Sequence, residues 1–372
     1  MEHPPPDHGT PTNNPLGIPI RKRLKSLESG AYRQNTESVL REFEQWLVSE
    51  RGVRSISTID EHDCRAYAQF LRDERDISGQ TINTYYSYVR AFLGWAVRDG
   101  WIDRNPANTE TATEPLPSDV EKPDRQFWSP RDRKAICSFV DRCVDETLDG
   151  DTDLSRERAF RDRAIVKLLA LSGVRGAEVF RDPRDDRRAG VTWADIDFEG
   201  SSIEVLGKSR EYERAQLPTE ARVALERYYR VAEPPIEEFP VFPTDHAPSK
   251  YRAVREQLDD RGYAGDEIEA ILESDSIDAV IREYEIILPA ISTAGARNLM
   301  QRLCEEADLD IEGEYLKPHG GRRGLGHELY SKGHSEVAQS ALRHRSIETT
   351  HSAYSDIKAS ETADRVDEVL NE

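Results

Sequence analysis

Three times between residues 35 and 98, apolar side chains recur at helical spacing, and this limits the first third of the chain to a small helical bundle. In "NTESVLREFEQWLVSE" the stripe is Val39, Leu40, Phe43, Trp46 and Leu47. "TIDEHDCRAYAQFLRDE" repeats it through Tyr67, Phe70 and Leu71, with Thr58 as the expected cap. A third helix is predicted from Gln80 to Arg98, stopped near Gly100 and closed by "RNPAN". Residues 28–112 therefore read as one helical domain. The Pro-rich residues 1–27 read as a disordered tail, and the Thr- and Pro-rich residues 113–126 as a linker.

A second domain is expected over residues 127–372, opening at Ser129-Pro130, a favourable helix start. "RDRAIVKLLALSGVRGAEVF" is helical and interrupted at Ser172-Gly173. The period then changes from helical to two: Ile196 and Phe198, then Ile203, Val205 and Leu206, with turns at Glu199-Gly200 and Gly207-Lys208. That pattern predicts a small antiparallel sheet in a mainly α chain, an α+β fold. Beyond it come helices again, including an acidic helical insertion at about 249–288.

The four cysteines, Cys64, Cys137, Cys143 and Cys304, form no C-x-x-C pair, so neither a disulfide framework nor a zinc site is expected. No apolar run approaches the ~20 residues that span a bilayer, and the N-terminus lacks a signal-peptide layout. A cytoplasmic protein is the expectation.

The net charge of −20 would repel nucleic acid if it were evenly spread. It is not: residues 1–112 carry 14 basic and 16 acidic side chains, a balance of −2 that leaves −18 for the remainder. Only 10 of the 51 basic residues are lysine, a composition like that of halophilic proteins. In molar salt the screening length falls to ~3 Å, so close contacts decide binding rather than net charge.

The chemistry-bearing residues concentrate in "LSGVRGAEV", "VLGKSREYERAQLP", "PHGGRRG" and "ALRHRSIETTHSAYSDI". In order they supply Arg175 with Glu178, then Lys208, His319 with Arg322, and His344 before Tyr354. Guanidinium forks suit the non-bridging oxygens of a phosphodiester as it gains negative charge. A carboxylate one helical turn from Arg175 would orient it. His319, His327 and His344 lack acidic or cysteine companions at metal-ligand spacing, so no metal is expected. Taken singly, each residue also fits an exposed ion pair, a solubilising turn lysine or a half-buried tyrosine.

Together these motifs resemble the tyrosine recombinases, the phage-integrase and Xer-like site-specific DNA recombinases, over about residues 28–372. The resemblance implies a helical SAM-like core-binding domain and a catalytic domain closing on DNA as a C-shaped clamp. It assigns Tyr354 as the nucleophile, Arg175, Arg322 and His344 to the phosphate, and His319 to the nucleophile's proton. Lys208 becomes the general acid, with Arg210 and Arg214 as nearby alternatives, and Glu178 supports Arg175. The reaction implied passes through a 3′-phosphotyrosyl intermediate and a Holliday junction, with no cofactor. The implied partners are double-stranded DNA and other protomers in a tetramer, with the C-terminal "ASETADRVDEVL" as a docking helix. In "SGQTINTYYSYVRAFLGW", Thr81, Asn83, Tyr85 and Arg90 become candidate DNA contacts.

The sequence departs from the family pattern in four places. Arg323 stands where a histidine is common, Gly320 and Gly321 where a bulkier pair is common, and Arg343 where glycine usually precedes the second histidine. The His344–Tyr354 spacing is also one residue longer than usual, offset by a shorter gap after Arg322. A type IB topoisomerase with the same chemistry, or a DNA-binding accessory protein with a decayed site, are the alternative readings.

Overall fold

The computed structural model describes residues 16–28, 30–118, 126–311 and 314–354. Contacts divide the chain into two units, Met1–Asp124 and Arg125–Glu372.

The first unit is a helical bundle. Helix α1, Gly17–Lys25, lies within the stretch expected to be a disordered tail. Leu16, Ile20 and Leu24, four residues apart, fall on one face and are buried, and the Leu16 N–H donates to the Arg54 carbonyl at 3.1 Å. Helix α2, Ala31–Trp46, buries the predicted stripe, with Leu47 following in a π-type turn. Helix α3, Glu61–Asp73, is capped by Asp60 rather than Thr58, which sits in the preceding 3₁₀ turn. The Asp60 carboxylate accepts from the backbone of His62 and Asp63, while the Asp63 carboxylate accepts from the Asp60 N–H, so three backbone donors are satisfied at the helix start. Helix α4, Gly79–Arg98, starts at a Ser78 cap and buries Ile82, Tyr86, Val89, Phe92 and Leu93. The Tyr86 hydroxyl lies 3.2 Å from the carbonyls of both Ala107 and Ala112, which fastens the closing segment. That segment adds a short helix, α5, Glu110–Thr113, before the stretch expected to link the domains.

The second unit is built on α6 (Pro130–Asp149), α7 (Arg156–Leu171) and α9 (Thr219–Ala232), with the short α8 (Gly176–Val179) between α7 and the sheet. Ser129 caps α6 through the Asp132 N–H at 3.1 Å, with Pro130 in the first turn. Helix α7 is buried on all sides from Ala159 to Ala170; Arg161 pairs with Asp162 and Asp245, Lys167 with Asp141 and Glu220, and Arg163 lies over the Phe160 ring. The sheet is three antiparallel strands in the order β1 (Ile196–Asp197), β2 (Ser202–Leu206) and β3 (Tyr212–Gln216). Ile203 pairs with Ala215 and Val205 with Glu213; Ile203 and Val205 face inward while Glu204 faces solvent.

The acidic insertion is three helices, α10 (Ala247–Asp260), α11 (Gly265–Ser274) and α12 (Ile277–Glu283). They enclose a small core of their own, including Val254, Leu258, Ile268, Val280 and Ile286. The chain leaves and re-enters at one place: Thr244 N–H donates to Pro289 O at 2.9 Å, and Ile291 N–H to Phe242 O at 2.8 Å. After it come α13 (Thr293–Glu306), α14 (Pro318–Ser331), α15 (Ser335–Leu342) and α16 (Ile347–Ala353). The expected C-terminal docking helix lies outside the described residues.

Candidate active site

The site forms where α14 comes unusually close to its neighbours. A Cβ on Gly321 would stand 3.1 Å from the Leu169 carbonyl carbon, and one on Gly324 3.0 Å from the Trp128 nitrogen. Gly320 meets the Trp128 ring in the same way, 2.7 Å from its Cδ1. Gly320 and Gly321, which depart from the family pattern, thus have a structural use at the helix start. They admit the Trp128 segment, whose indole N–H donates to Lys317 O at 2.9 Å.

This approach buries Arg322, which is 4% exposed. Its guanidinium donates to the carbonyls of Gly173 and Leu342, joining α14 to the loop after α7 and to the end of α15. Gly173 takes a positive φ of 69°, and a Cβ there would lie 2.8 Å from the Ala341 carbonyl oxygen. The predicted interruption at Ser172-Gly173 is thus the turn that carries Arg175 to the site. Burial first, and then the neighbouring Arg175 and Arg343, lower the Arg322 guanidinium to about 9.

Arg175 precedes α8. Its Nη1 donates to Glu178 Oε1 at 2.5 Å and its backbone N–H to Oε2 at 2.7 Å. Burial would raise the Glu178 carboxyl. Arg343, the Arg175 N–H and the Arg175 guanidinium outweigh it and hold the group below the usual carboxylate range. Arg343 reaches the same carboxylate, with Nη2 2.5 Å from Oε2, while its Nε donates to Glu213 on β3 at 3.1 Å. It takes a positive φ of 50°, the backbone state for which glycine is the usual choice.

Partial burial, followed by Arg323, Arg322 and Arg175, lowers the His319 imidazole to about 4, although solvent still reaches the ring. His344 is half-buried and also lowered to about 4, by burial and then by Arg322, Arg175 and Arg343. Its Nδ1 lies 2.9 Å from the hydroxyl of the fully buried Thr350. Tyr354 follows α16, its N–H bonded to Thr350 O at 3.2 Å in a continued helical turn. Its hydroxyl lies 3.5 Å from Arg323 O, at the outer limit of a hydrogen bond, and its ring packs 5.6 Å from that of Tyr330. Burial raises the phenol, with Arg322 and Arg323 pulling the other way.

Arg175, Glu178, His319, Arg322, His344 and Tyr354 thus belong to one cluster, coupled electrostatically or by direct contact. Lys208 stands apart from it. It is exposed at the tip of the β2–β3 hairpin, with no ion-pair partner among the described residues. Its proposed substitutes are engaged: Arg210 donates twice to Asp185, at 2.7 and 3.1 Å, and Arg214 lies 3.8 Å from Asp197. Among the other histidines, His327 stacks on Phe127 and His351 bonds the Tyr330 hydroxyl at 2.7 Å. No group of three His, Cys, Asp or Glu side chains among the described residues has the geometry of a metal site. Sequence reasoning passed over Thr350, Glu213 and Gly326. Thr350 carried a usable signal, since it falls in the "TT" of the motif.

In the first unit the four nominated residues lie on α4. The Thr81 hydroxyl is 2.9 Å from that of Ser78, and the Asn83 amide donates to Pro117 O at 3.0 Å. Tyr85 packs partly into the core. Arg90 is exposed beside a groove of about 460 Å³ that Arg23, Arg98, Asn105 and Asn108 also line.

Residues 150–361 match the phage integrase family, and residues 20–112 match the phage integrase SAM-like domain. The chain belongs to the phage integrase family. Among curated members it is 29% identical over 180 residues to tyrosine recombinase XerC of Alcanivorax borkumensis, covering 48% of this chain and 50% of that one. It is 24% identical over 211 residues to XerC of Oceanobacillus iheyensis, covering 57% and 59%. The chain thus spans about half the length of the curated relatives it matches. Its fold resembles that of XerH site-specific recombinase bound to palindromic difH substrate, with a TM-score of 0.63 at 14% identity over 100% of both chains. It also resembles the Tn1549 transposon integrase in complex with transposon right end DNA, with a TM-score of 0.58 at 17% identity over 94% of this chain and 98% of that one. The mainly helical fold with a small antiparallel sheet is that of the family.

Proposed function

We propose that this integrase-family chain is a site-specific DNA recombinase that cuts and rejoins strands through a tyrosine–phosphate bond. The observation that carries the reading is the convergence of Arg175, Arg322, His319 and His344 on the surroundings of Tyr354. In this reading the Tyr354 oxygen attacks the scissile phosphorus and forms a P–O bond, while the bond from phosphorus to the 5′ oxygen breaks. Arg175 and Arg322 take the charge that grows on the non-bridging oxygens. His319, neutral at pH 7, accepts the phenolic proton, and Lys208 protonates the departing 5′ oxygen. His344 donates through Nε2. With Nδ1 accepting a hydrogen bond from the Thr350 hydroxyl, the neutral ring carries its single proton on Nε2.

The phosphodiester energy stays in the covalent enzyme, so a second 5′-hydroxyl reverses the step without a cofactor. Exchange between two duplexes then proceeds through a Holliday junction in a tetramer of this chain on double-stranded DNA, for integration, excision or replicon-dimer resolution. In the first unit Arg90, with Arg23 and Arg98, supplies phosphate contacts, and Thr81 and Tyr85 add polar edges. Asn83 is a weaker candidate because its amide already holds Pro117. No described helix is long and apolar enough to cross a membrane.

A suicide substrate nicked beside the scissile phosphate tests this, in both dilute and molar KCl. A covalent protein–DNA adduct with the native chain and none with Tyr354→Phe is expected. Absence of adduct in every salt would overturn the reading, and site-independent relaxation of supercoiled plasmid would favour a topoisomerase.

A further inference from the structure

Arg343 stands in a left-handed backbone state, yet its side chain is only 9% exposed, and its Nη2 and Nε edges each meet a carboxylate. One end meets Glu178, the carboxylate that holds Arg175. The other meets Glu213, whose remaining oxygen accepts from the Ser209 hydroxyl at 3.3 Å, one residue from Lys208. The Glu213 carboxyl also lies against the hairpin turn itself, where a Cβ on Gly207 would stand 2.6 Å from its Cδ. Without Arg343, the Glu178 and Glu213 carboxylates would have no cation between them. The far side of the hairpin is fixed separately. Arg188 donates to the carbonyls of Leu206 and Gly207 at 2.8 Å, and Arg210 is held by Asp185.

We propose that Arg343 is a positioning residue that fixes the Lys208 hairpin to the Arg175–Glu178 pair through Glu213. The continuous path runs Arg175, Glu178, Arg343, Glu213, Ser209. It sets how far the lysine stands from the phosphate that Arg175 would hold. Because His344 is the next residue, the same anchor fixes the backbone from which that imidazole projects. Displacement of a catalytic group by about 1 Å is enough to cost on the order of a hundredfold in rate. The inference rests on the reading of Lys208 as the proton donor.

The test is single-turnover cleavage of two nicked substrates, one with oxygen and one with sulfur at the 5′ bridging position. A thiolate leaves without protonation, so sulfur removes the need for a general acid. Lys208→Ala is the reference, with Glu213→Ala, Glu213→Gln and Arg343→Gly as the variants. On oxygen, Glu213→Ala is expected to slow on the order of tenfold or more, and on sulfur to return near the native rate. Glu213→Gln, which keeps the shape and loses the charge, should fall between the native chain and Glu213→Ala. Arg343→Gly should show a larger defect that sulfur repairs only in part, because it also releases Glu178. Equal slowing of Glu213→Ala on both substrates, or no slowing on oxygen, would overturn the proposal. If sulfur fails to rescue Lys208→Ala, the proton-donor reading itself falls. If it rescues Lys208→Ala but not Glu213→Ala, only the positioning role falls.

Discussion

Tyr354 occupies the space that a side chain on Gly326 would fill: a Cβ built there would stand 2.7 Å from the Tyr354 Cζ and 2.6 Å from the Leu342 Cδ1. The proposed nucleophile is seated on a bare stretch of α14. Gly326→Ala should therefore expel the ring from its seat while favouring the helix itself, since alanine exceeds glycine by about 1 kcal/mol in helix propensity. The expected outcome is loss of most covalent adduct with helical circular dichroism retained. Adduct at the native level would show that Tyr354 reacts from another position.

Arg322 should be needed for the fold as well as the reaction. Arg322→Ala leaves the carbonyls of Gly173 and Leu342 without their donor, at a cost of about 1–3 kcal/mol for each group left buried and unpaired. Urea denaturation should record a lower midpoint, and adduct formation should be lost even where the variant is folded.

The two imidazoles predict an acid limb in stability. Each is lowered from 6.5 to about 4 when folded, so the unfolded chain binds these protons more readily. Their contribution is intact above pH 6.5, is lost as pH falls toward 4, and then levels off. Melting temperatures across that window should drop. His344→Gln should shallow the slope, and an unchanged slope in both His319→Gln and His344→Gln would refute the assignment.

An oxyanion should relieve the crowding of positive charge that lowers Arg322. Added sulfate is expected to raise the melting temperature more than chloride at equal ionic strength, in line with ligand linkage. The excess should shrink in Arg175→Ala, which separates site binding from the general salting effect of sulfate.

Thr350→Val removes the hydroxyl beside His344 while nearly preserving shape. Single-turnover cleavage should slow on the order of tenfold, with Thr350→Ser restoring much of the rate. Equal rates for valine and threonine would mean the bond does not fix the ring.

Much of this architecture was legible in the chain because it depends on local periodicity. The stripes of α2, α3 and α4 and the alternation on β2 each reflect burial of one face. Helix α1 was missed because prolines and a basic run obscured Leu16, Ile20 and Leu24, although their spacing of four was visible. The cap of α3 was misplaced by two residues because Thr58 and Asp60 are both good caps, and only the reciprocal bond with Asp63 chooses between them. The order of Arg175, Lys208, His319, Arg322, His344 and Tyr354 was readable from motifs. The meaning of the departures was not. Arg343 finds its partners 165 and 130 positions away, and the glycines of α14 matter through what approaches them. No one-dimensional pattern carries such information.

The pairing of Phe242–Thr244 with Pro289–Ile291 brings the two ends of the α10–α12 excursion together, so the 245–288 stretch hangs on the second unit from a narrow neck, where Asp245 also pairs with Arg161 of α7. Such a joint behaves as a socket. Whatever is plugged in there can be lengthened, shortened or exchanged without moving the strands that carry Lys208 or the helix that carries Arg322. The segment is thus where a reporter or a foreign domain would be inserted with least disturbance to the candidate site.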